Sequence, residues 1–372
     1  MNNEEKPGSE GVVDEEAVIL AISSFLPLLL NAFDTLGHIG RHIHPPTLTK
    51  LLDNAGAGRD ILREHLDQFL KIAWPEHLLP FRTIVDKSAR YACNAFDGLA
   101  TAKSDSNGIL AAYRALGQYT KAVEALYPLA TTFPPINRFY IEELRRGDEV
   151  LLEKLAAPYA FSENLGVMHE KNERSERGGY SVYVPEYYKA DQAMPLIMAL
   201  HGGSGHGRNF LWTWLKAARS HGAILVCPSS IEGTWSLTGP DVDSDNLERI
   251  LKRVSSQWNI DNSRLLLTGM SDGGTFTYLN GFQTGSPFTH LAPVSASFHP
   301  MLLEFFDQTR LKNVPLYLTH GVLDWMFSID VANVANESLK NRGVDVVYRP
   351  IADLSHTYPA EENTKIVDWF LQ

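Results

Sequence analysis

From Pro195 onward the chain alternates short, wholly apolar runs with longer amphipathic ones, and this alternation narrows the available folds more than any other feature. The runs "PLIMALHG", "AILVCPS", "RLLLTGM", "THLAPVSA", "VPLYLTHG" and "VDVVYRPI" are apolar along their length, as strands covered on both faces are. Between them "RNFLWTWLKAARSHG", "SDNLERILKRVSSQWNI" and "GGTFTYLNGF" read as helices, and "EENTKIVDWFLQ" closes the chain as another. Ser244 or Asp245 is the expected N-cap of the second of these. Repeated βαβ units imply a doubly wound, mostly parallel α/β sheet. Just ahead of it, "GVMHEKNERSERGGYSVYVPEYY" holds two short β-type runs around a polar turn with Gly178 and Gly179, the pattern of a hairpin.

The first part of the chain has a different period. From 15 to 158 it reads as an all-α helical bundle, punctuated by Pro45-Pro46, Pro75, Pro80 and Pro134-Pro135. Leu110, Tyr113, Leu116, Tyr119, Val123, Leu126 and Ala130 recur at helical spacing, as do Ile61, His65, Phe69 and Ile72, and each set is expected to form a buried face. Residues 1–14 are polar and acidic and are expected to be a disordered tail without the basic start of a secretory signal. The expected division is therefore a tail (1–14), a helical domain (15–158) and an α/β domain (159–372). The most apolar stretch, Ala17 to Phe33, carries Ser23, Ser24, Pro27 and Asn31. It falls short of the roughly 20 apolar residues of a membrane span, so it is expected to be a bundle helix and no transmembrane segment is assigned.

Charge excludes some partners. The formal net charge is −11 and no Lys/Arg-rich run occurs, so nucleic acid is not an expected partner. The two cysteines, Cys93 and Cys227, fall in different expected domains, which fits a reducing compartment and a cytoplasmic location. His38, His42 and His44 raise the question of a metal. No acidic third ligand stands at a suitable spacing, and Pro45-Pro46 ends the element, so no metal or other cofactor is assigned.

The strand "RLLLTGM" ends at Ser271, inside Gly269-Met270-Ser271-Asp272-Gly273, and a helix follows. In that context Gly-x-Ser-x-Gly is a nucleophile elbow, a strained strand-to-helix turn that lifts a serine hydroxyl above the sheet. Glycines two before and two after the serine leave room where a Cβ would clash. A serine hydroxyl is a weak nucleophile and needs a base, and the base needs an orienting carboxylate. Asp324 in "LYLTHGVLDWMFS" and His356 in "PIADLSHTYP" follow later strands, in the order Ser, Asp, His that this architecture uses. Asp330 lies deeper in a helix, Asp353 is expected to shape a turn, and His320 and His201 are expected to be buried structural histidines. An oxyanion needs two backbone N–H donors. Asp272 is the expected first. Gly203 in "HGGSGHGRN" is the expected second, with Ser204 as the alternative.

Together "LHGG", "GMSDGG", "HGVLD" and "LSH" resemble the α/β-hydrolase superfamily over about residues 160–372, and within it the polyhydroxybutyrate-depolymerase-like, feruloyl-esterase-like and phospholipase/carboxylesterase-like serine esterases. The resemblance implies a serine esterase with Ser271 as nucleophile, His356 as general acid–base, Asp324 as its orienter, N–H donors at Gly203 and Asp272, and no cofactor. Depolymerases of this kind are commonly secreted and disulfide-bonded, and this chain shows neither sign. Residues 1–158 resemble no family.

Many hydrolases of this fold carry a cap after the sixth strand, but "SFHPMLLEFFDQTRLKN" has room for one short helix. The helical domain is thus expected to serve either as a lid or as a homo-oligomerisation module. Trp235 and Phe327 are the expected pocket aromatics, which favours a small-molecule ester with an apolar or aromatic acyl group. Two other readings stay open. One is a serine peptidase or amidase of prolyl-oligopeptidase-like type. The other is a non-catalytic binding protein on a hydrolase fold.

Overall fold

The apolar runs become the strands of one mixed sheet in the computed structural model, which describes residues 14–53, 55–156 and 164–372. The strands are β1 (Gly166–Glu170), β2 (Tyr180–Val184), β3 (Met194–Leu200), β4 (Ile224–Pro228), β5 (Ile260–Met270), β6 (His290–Val294), β7 (Leu316–Gly321) and β8 (Val346–Ile351). Their order across the sheet is β1-β2-β4-β3-β5-β6-β7-β8. β1 and β2 form the expected antiparallel hairpin, and β2 also runs antiparallel to β4. From β4 to β8 every pairing is parallel. Residues Leu196–Leu200, Ile224–Cys227 and Leu265–Leu267 are buried without a polar alternation. Each such Leu or Ile contributes about 1.5–3 kcal/mol by leaving water, which is why these runs lie in the middle of the sheet.

The helices are α1 (Glu15–His42), α2 (Leu48–Leu52), α3 (Ala55–Lys71), α4 (Leu79–Ala102), α5 (Gly108–Leu126), α6 (Pro134–Phe139), α7 (Glu149–Leu155), α8 (Gly207–His221), α9 (Asp243–Gln257), α10 (Asp272–Gly281), α11 (Gln308–Asn313), α12 (Ile329–Asn341) and α13 (Asn363–Phe370). α8 packs on β2, β3 and β4, α10 on β5 and β6, and α12 on β7 and β8. The chain forms two compact units: Met1–Ile39 with Thr49–Tyr127, and Gly40–Leu48 with Pro128–Gln372. The boundary expected at 158/159 falls in 157–163, outside the described residues, as does the tail expected over 1–14 except for Asp14.

In the helical unit α4 and α5 cross closely. A Cβ on Gly98 would meet the Ala115 methyl at 2.7 Å, and the buried Ser88 hydroxyl donates to the Ala122 carbonyl at 2.8 Å. The helices form where periodicity placed them, and Phe69, Val123, Leu126 and Ala130 are buried as expected, but other members of the expected faces are not. α3 buries Leu62, Leu66 and Phe69, while Ile61 is half exposed. α5 buries Ala112, Ala115, Ala122, Val123 and Leu126, while Leu110 is exposed. Close helix approach selects alanine over leucine, and an apolar count cannot register that preference. α1 runs on through Pro27 to 28 residues. It is longer than the apolar stretch suggested and is long and apolar enough to cross a membrane by length and composition, with 33% of its most apolar window buried. Neither expected N-cap holds: Val242 is the N-cap of α9, two residues before Ser244, Asp241 accepts from the Ser244 amide, and Asp243 turns inward to the Ile231 and Ser236 amides.

Candidate active site

All the parallel strands end at one edge of the sheet, and the loops that leave this edge carry the polar residues singled out above. Ser271 stands between β5 and α10 with φ +55° and ψ −119°, a conformation that an L-residue holds only under constraint. The constraint is visible on both sides. Its N–H donates to the Val294 carbonyl of β6 at 2.9 Å, and its carbonyl accepts from the Thr275 amide at 2.9 Å. The flanking glycines are needed for space. A Cβ on Gly269 would lie 2.5 Å from the Gly273 carbonyl, and one on Gly273 would lie 2.5 Å from the His201 carbonyl. Backbone cannot yield there, so the turn tolerates no side chain at either position.

Ser271, Asp324 and His356 are brought together and are each at least nine-tenths buried. His356 Nε2 lies 3.1 Å from Ser271 Oγ, and His356 Nδ1 lies 2.8 Å from Asp324 Oδ2. The other oxygen of Asp324 accepts from the amides of Met326 and Phe327, both at 2.9 Å, which fixes the carboxylate plane. Burial pushes the Asp324 carboxyl upward, but the bond from His356, the Phe327 amide and the charges of His356 and His320 outweigh it. The net effect holds it below the ordinary carboxylate range and keeps it ionised at neutral pH. An ionised carboxylate on Nδ1 leaves Nε2 to face the serine.

The two other histidines of the strand ends are structural. His320 is buried below the acid loop, where Nε2 donates to the Phe327 carbonyl at 2.9 Å and stands 3.6 Å from Asp324 Oδ2. Burial lowers its affinity for a proton. His201 donates from Nδ1 to the Gly202 carbonyl at 2.7 Å and accepts at Nε2 from the Ser230 amide at 3.1 Å. Burial pushes it down to about 3, so it braces the glycine loop as a neutral ring.

That loop passes over Ser271: a Cβ on Gly202 would stand 3.5 Å from the Ser271 Cβ. The Ser204 N–H is committed to the Gly233 carbonyl at 2.9 Å, which removes Ser204 as an oxyanion donor. Among the described hydrogen bonds the N–H groups of Gly203 and Asp272 have no protein acceptor. Gly203 also presses on the Asp272 side chain, where an added Cβ would come within 2.5 Å of Oδ2. Thr234 donates to that same oxygen at 2.6 Å. The segment 233–234 therefore holds the glycine loop and the elbow at once, a link no sequence spacing announces.

The expected pocket aromatics part company. Trp235 does not line an open wall. It is 2% exposed, donates to the His201 carbonyl at 2.7 Å and stacks on Phe276 at 5.5 Å. An indole with a buried carbonyl in reach is stable in the core, and that option cannot be seen from a loop sequence. Phe327 sets its ring edge against His356 at 5.5 Å. Val322, Leu323, Trp325 and Met326, around the buried Asp324, are 42–51% exposed. Asp330 bonds the Ser328 hydroxyl and stays at the helix start. Among the described residues no group of three or more His, Cys, Asp or Glu side chains could hold a metal ion.

No protein-family model matches the chain. It is 28% identical over 201 residues to a bifunctional acetylxylan esterase/xylanase of Neocallimastix patriciarum, covering 52% of this chain and 28% of that protein. It is 30% identical over 189 residues to a probable feruloyl esterase C of Aspergillus flavus, covering 49% of this chain and 66% of that one. The chain thus spans less than two thirds of either relative. Among solved structures, a thermostable esterase aligns over 56% of this chain and 63% of its own at 19% identity and a TM-score of 0.45. An acylaminoacyl peptidase of Pyrococcus horikoshii aligns over 56% of this chain and 42% of its own at 18% identity and a TM-score of 0.45.

Proposed function

We propose that this chain, part of which belongs to the α/β-hydrolase superfamily and is related to its serine esterases, hydrolyses carboxylic esters of small molecules through an acyl-enzyme intermediate. The observation that carries the reading is the unbroken line from Ser271 Oγ through the His356 ring to Asp324, at 3.1 and 2.8 Å. In this reading His356 takes the proton as Ser271 Oγ attacks the ester carbonyl. The Gly203 and Asp272 N–H groups receive the oxyanion, and His356 returns its proton to the leaving alcohol. Water then repeats the sequence on the acyl-enzyme, and Ser271 is released.

Two features favour an apolar or aromatic acyl group. The Phe327 ring lies against the imidazole, and Trp325 and Met326 stand exposed on the same loop. The curated relatives named above are esterases of acetylated and feruloylated material, which supports an ester over an amide bond. The test is a panel of p-nitrophenyl esters beside a panel of peptide amides, with a fluorophosphonate probe. Ester turnover and labelling, both lost in Ser271→Ala, are expected. Faster amide cleavage would replace the esterase by a peptidase. Absent labelling in the intact protein would remove the nucleophile.

A further inference from the structure

The loop that carries His356 has few means of holding itself. Residues 352–359 form no regular element, yet Ser355, His356 and Thr357 are all buried. Two buried hydroxyls beside the imidazole must find partners or cost free energy. Both find them in one short stretch more than 300 residues away. The Thr357 hydroxyl donates to the Arg41 carbonyl at 2.8 Å, and the Ser355 hydroxyl meets His44 Nδ1 at 3.1 Å. The Arg41 guanidinium spans the same loop from outside. It donates to the Asp353 carboxylate at 3.1 Å, to the Asp353 carbonyl at 3.5 Å and to Glu361 at 2.6 Å. His42 Nε2 stands 3.9 Å from the other Asp353 oxygen. Every second residue around His356, at 353, 355 and 357, is thus tied to residues 41–44. The Gly40–Leu48 segment is also part of the same compact unit as the sheet.

On the other side the loop is packed against the end of β7. A Cβ on Gly321 would lie 2.3 Å from the Leu354 carbonyl, and the Leu323 amide donates to that carbonyl at 2.9 Å. The histidine loop is therefore seated between β7 and the segment 41–44.

We infer that Arg41, with His44, is a positioning element for His356, holding the imidazole on the line between Ser271 and Asp324. The inference rests on the esterase reading for its kinetic consequence, but its structural content does not. The carboxylate partners of Arg41 are more than half exposed, with side-chain exposures of 65% for Asp353 and 53% for Glu361. The Arg41 side chain is itself 13% exposed, but its carboxylate partners stay hydrated, so losing the pairs costs little global stability while the loop loosens. A small displacement of a base from its nucleophile costs up to about 100-fold in rate.

The test uses the full chain and three variants: Arg41→Ala, Arg41→Lys and Ser271→Ala. In Arg41→Ala, kcat for a p-nitrophenyl ester is expected to fall about 10- to 100-fold, with KM within about twofold because Arg41 touches no substrate. The melting temperature is expected to stay within about 3 °C. Arg41→Lys, which keeps a charge but loses the fork, recovers part of the rate. Amide hydrogen exchange across 352–359 is expected to be faster in Arg41→Ala than in the unaltered protein, a readout that needs no activity. Unchanged exchange there overturns the positioning role whatever the kinetics. Unchanged kcat with faster exchange also overturns it, because the loop then moves without consequence. If the unaltered protein turns over no ester, or if Ser271→Ala retains its turnover, the esterase reading fails instead, and the exchange comparison still decides whether Arg41 orders the loop.

Discussion

The serine turn and the histidine loop lie at the same edge of one sheet, yet they are held by different means. Gly269 meets the Gly273 carbonyl within the turn itself, Gly273 packs on the end of β3 at His201, and the Ser271 amide is tied to the adjacent strand β6. His356 stands in a loop without secondary structure, held by Gly321 on one side and by Arg41 and His44 on the other. The first arrangement joins a steric constraint inside the turn, between Gly269 and Gly273, to packing on the neighbouring strands β3 and β6. The second is a tertiary agreement between segments separated by more than 300 residues. Half of the chemistry is therefore built on a short motif and the strands beside it, and the other half depends on the chain folding back on itself.

Substitutions can break this contrast. The largest effect is expected from Ser271→Ala, about 10⁴- to 10⁶-fold in kcat, read as ester turnover with the fold checked by circular dichroism. Gly273→Ala attacks the serine turn where it packs on the end of β3. With the His201 carbonyl 2.5 Å from the new methyl, the elbow must open. A loss of about 100-fold or more in kcat and about 1–3 kcal/mol of stability is expected from urea titration. A well-folded, fully active Gly273→Ala would show that the turn is less constrained than its contacts imply.

His201 tests the support shared by the elbow and the glycine loop. Its pKa is lowered from 6.5 to about 3, so between those values the unfolded chain binds a proton that the folded chain refuses. Its contribution is complete above pH 6.5 and is lost as pH falls toward 3. His201→Asn is expected to be less stable at pH 7 but to show a shallower acid limb, in a series of urea titrations from pH 7 to 4. Parallel limbs would mean that the ring is not held neutral. Arg41→Ala, on the distant side, has the 10- to 100-fold effect on kcat given above. The smallest change is expected from Thr234→Val, which removes the hydroxyl on Asp272. A loss of about two- to fivefold in kcat is expected, with KM unaltered: a hydroxyl–carboxylate bond is worth about 1.5–3 kcal/mol, and only part of it bears on the placement of the Asp272 amide.

Arg41 also changes how the helical segment can be studied. A truncation at 158 to ask whether that segment is a lid would remove Arg41 and His44 as well. Altered selectivity in the product would then mix two effects. A chain that keeps residues 40–48 in place, with substitutions confined to the helical unit, separates them.

Much of the site could be read from the chain. The apolar runs became strands, and Ser271, Asp324 and His356 met although nothing in their spacing carries distance. The order Ser, Asp, His works because each follows a parallel strand, and parallel strands end at one edge. Other readings failed for identifiable reasons. The loop position of Trp235 suggests an open wall, but its indole N–H has a buried carbonyl within reach and the ring joins the core. On α3 the buried face is Leu62, Leu66 and Phe69 in place of Ile61 and His65, whereas α5 buries Val123 and Leu126 as expected but adds Ala112, Ala115 and Ala122, which an apolar count underweights. The spacing of His44 with His38 and His42 raises a metal, while its partner in the fold is Ser355, beside His356 at the other end of the chain.

The sequence by itself determined the strand pattern and the strained serine turn, because burial on two faces and the absence of a Cβ act over a few residues. Tertiary structure alone decided that the Ser204 amide is committed to the Gly233 carbonyl, that Trp235 joins the core and that residues 41–44 secure the histidine loop. Each of those depends on hydrogen bonds and packing between distant segments, and no local preference encodes such a distance.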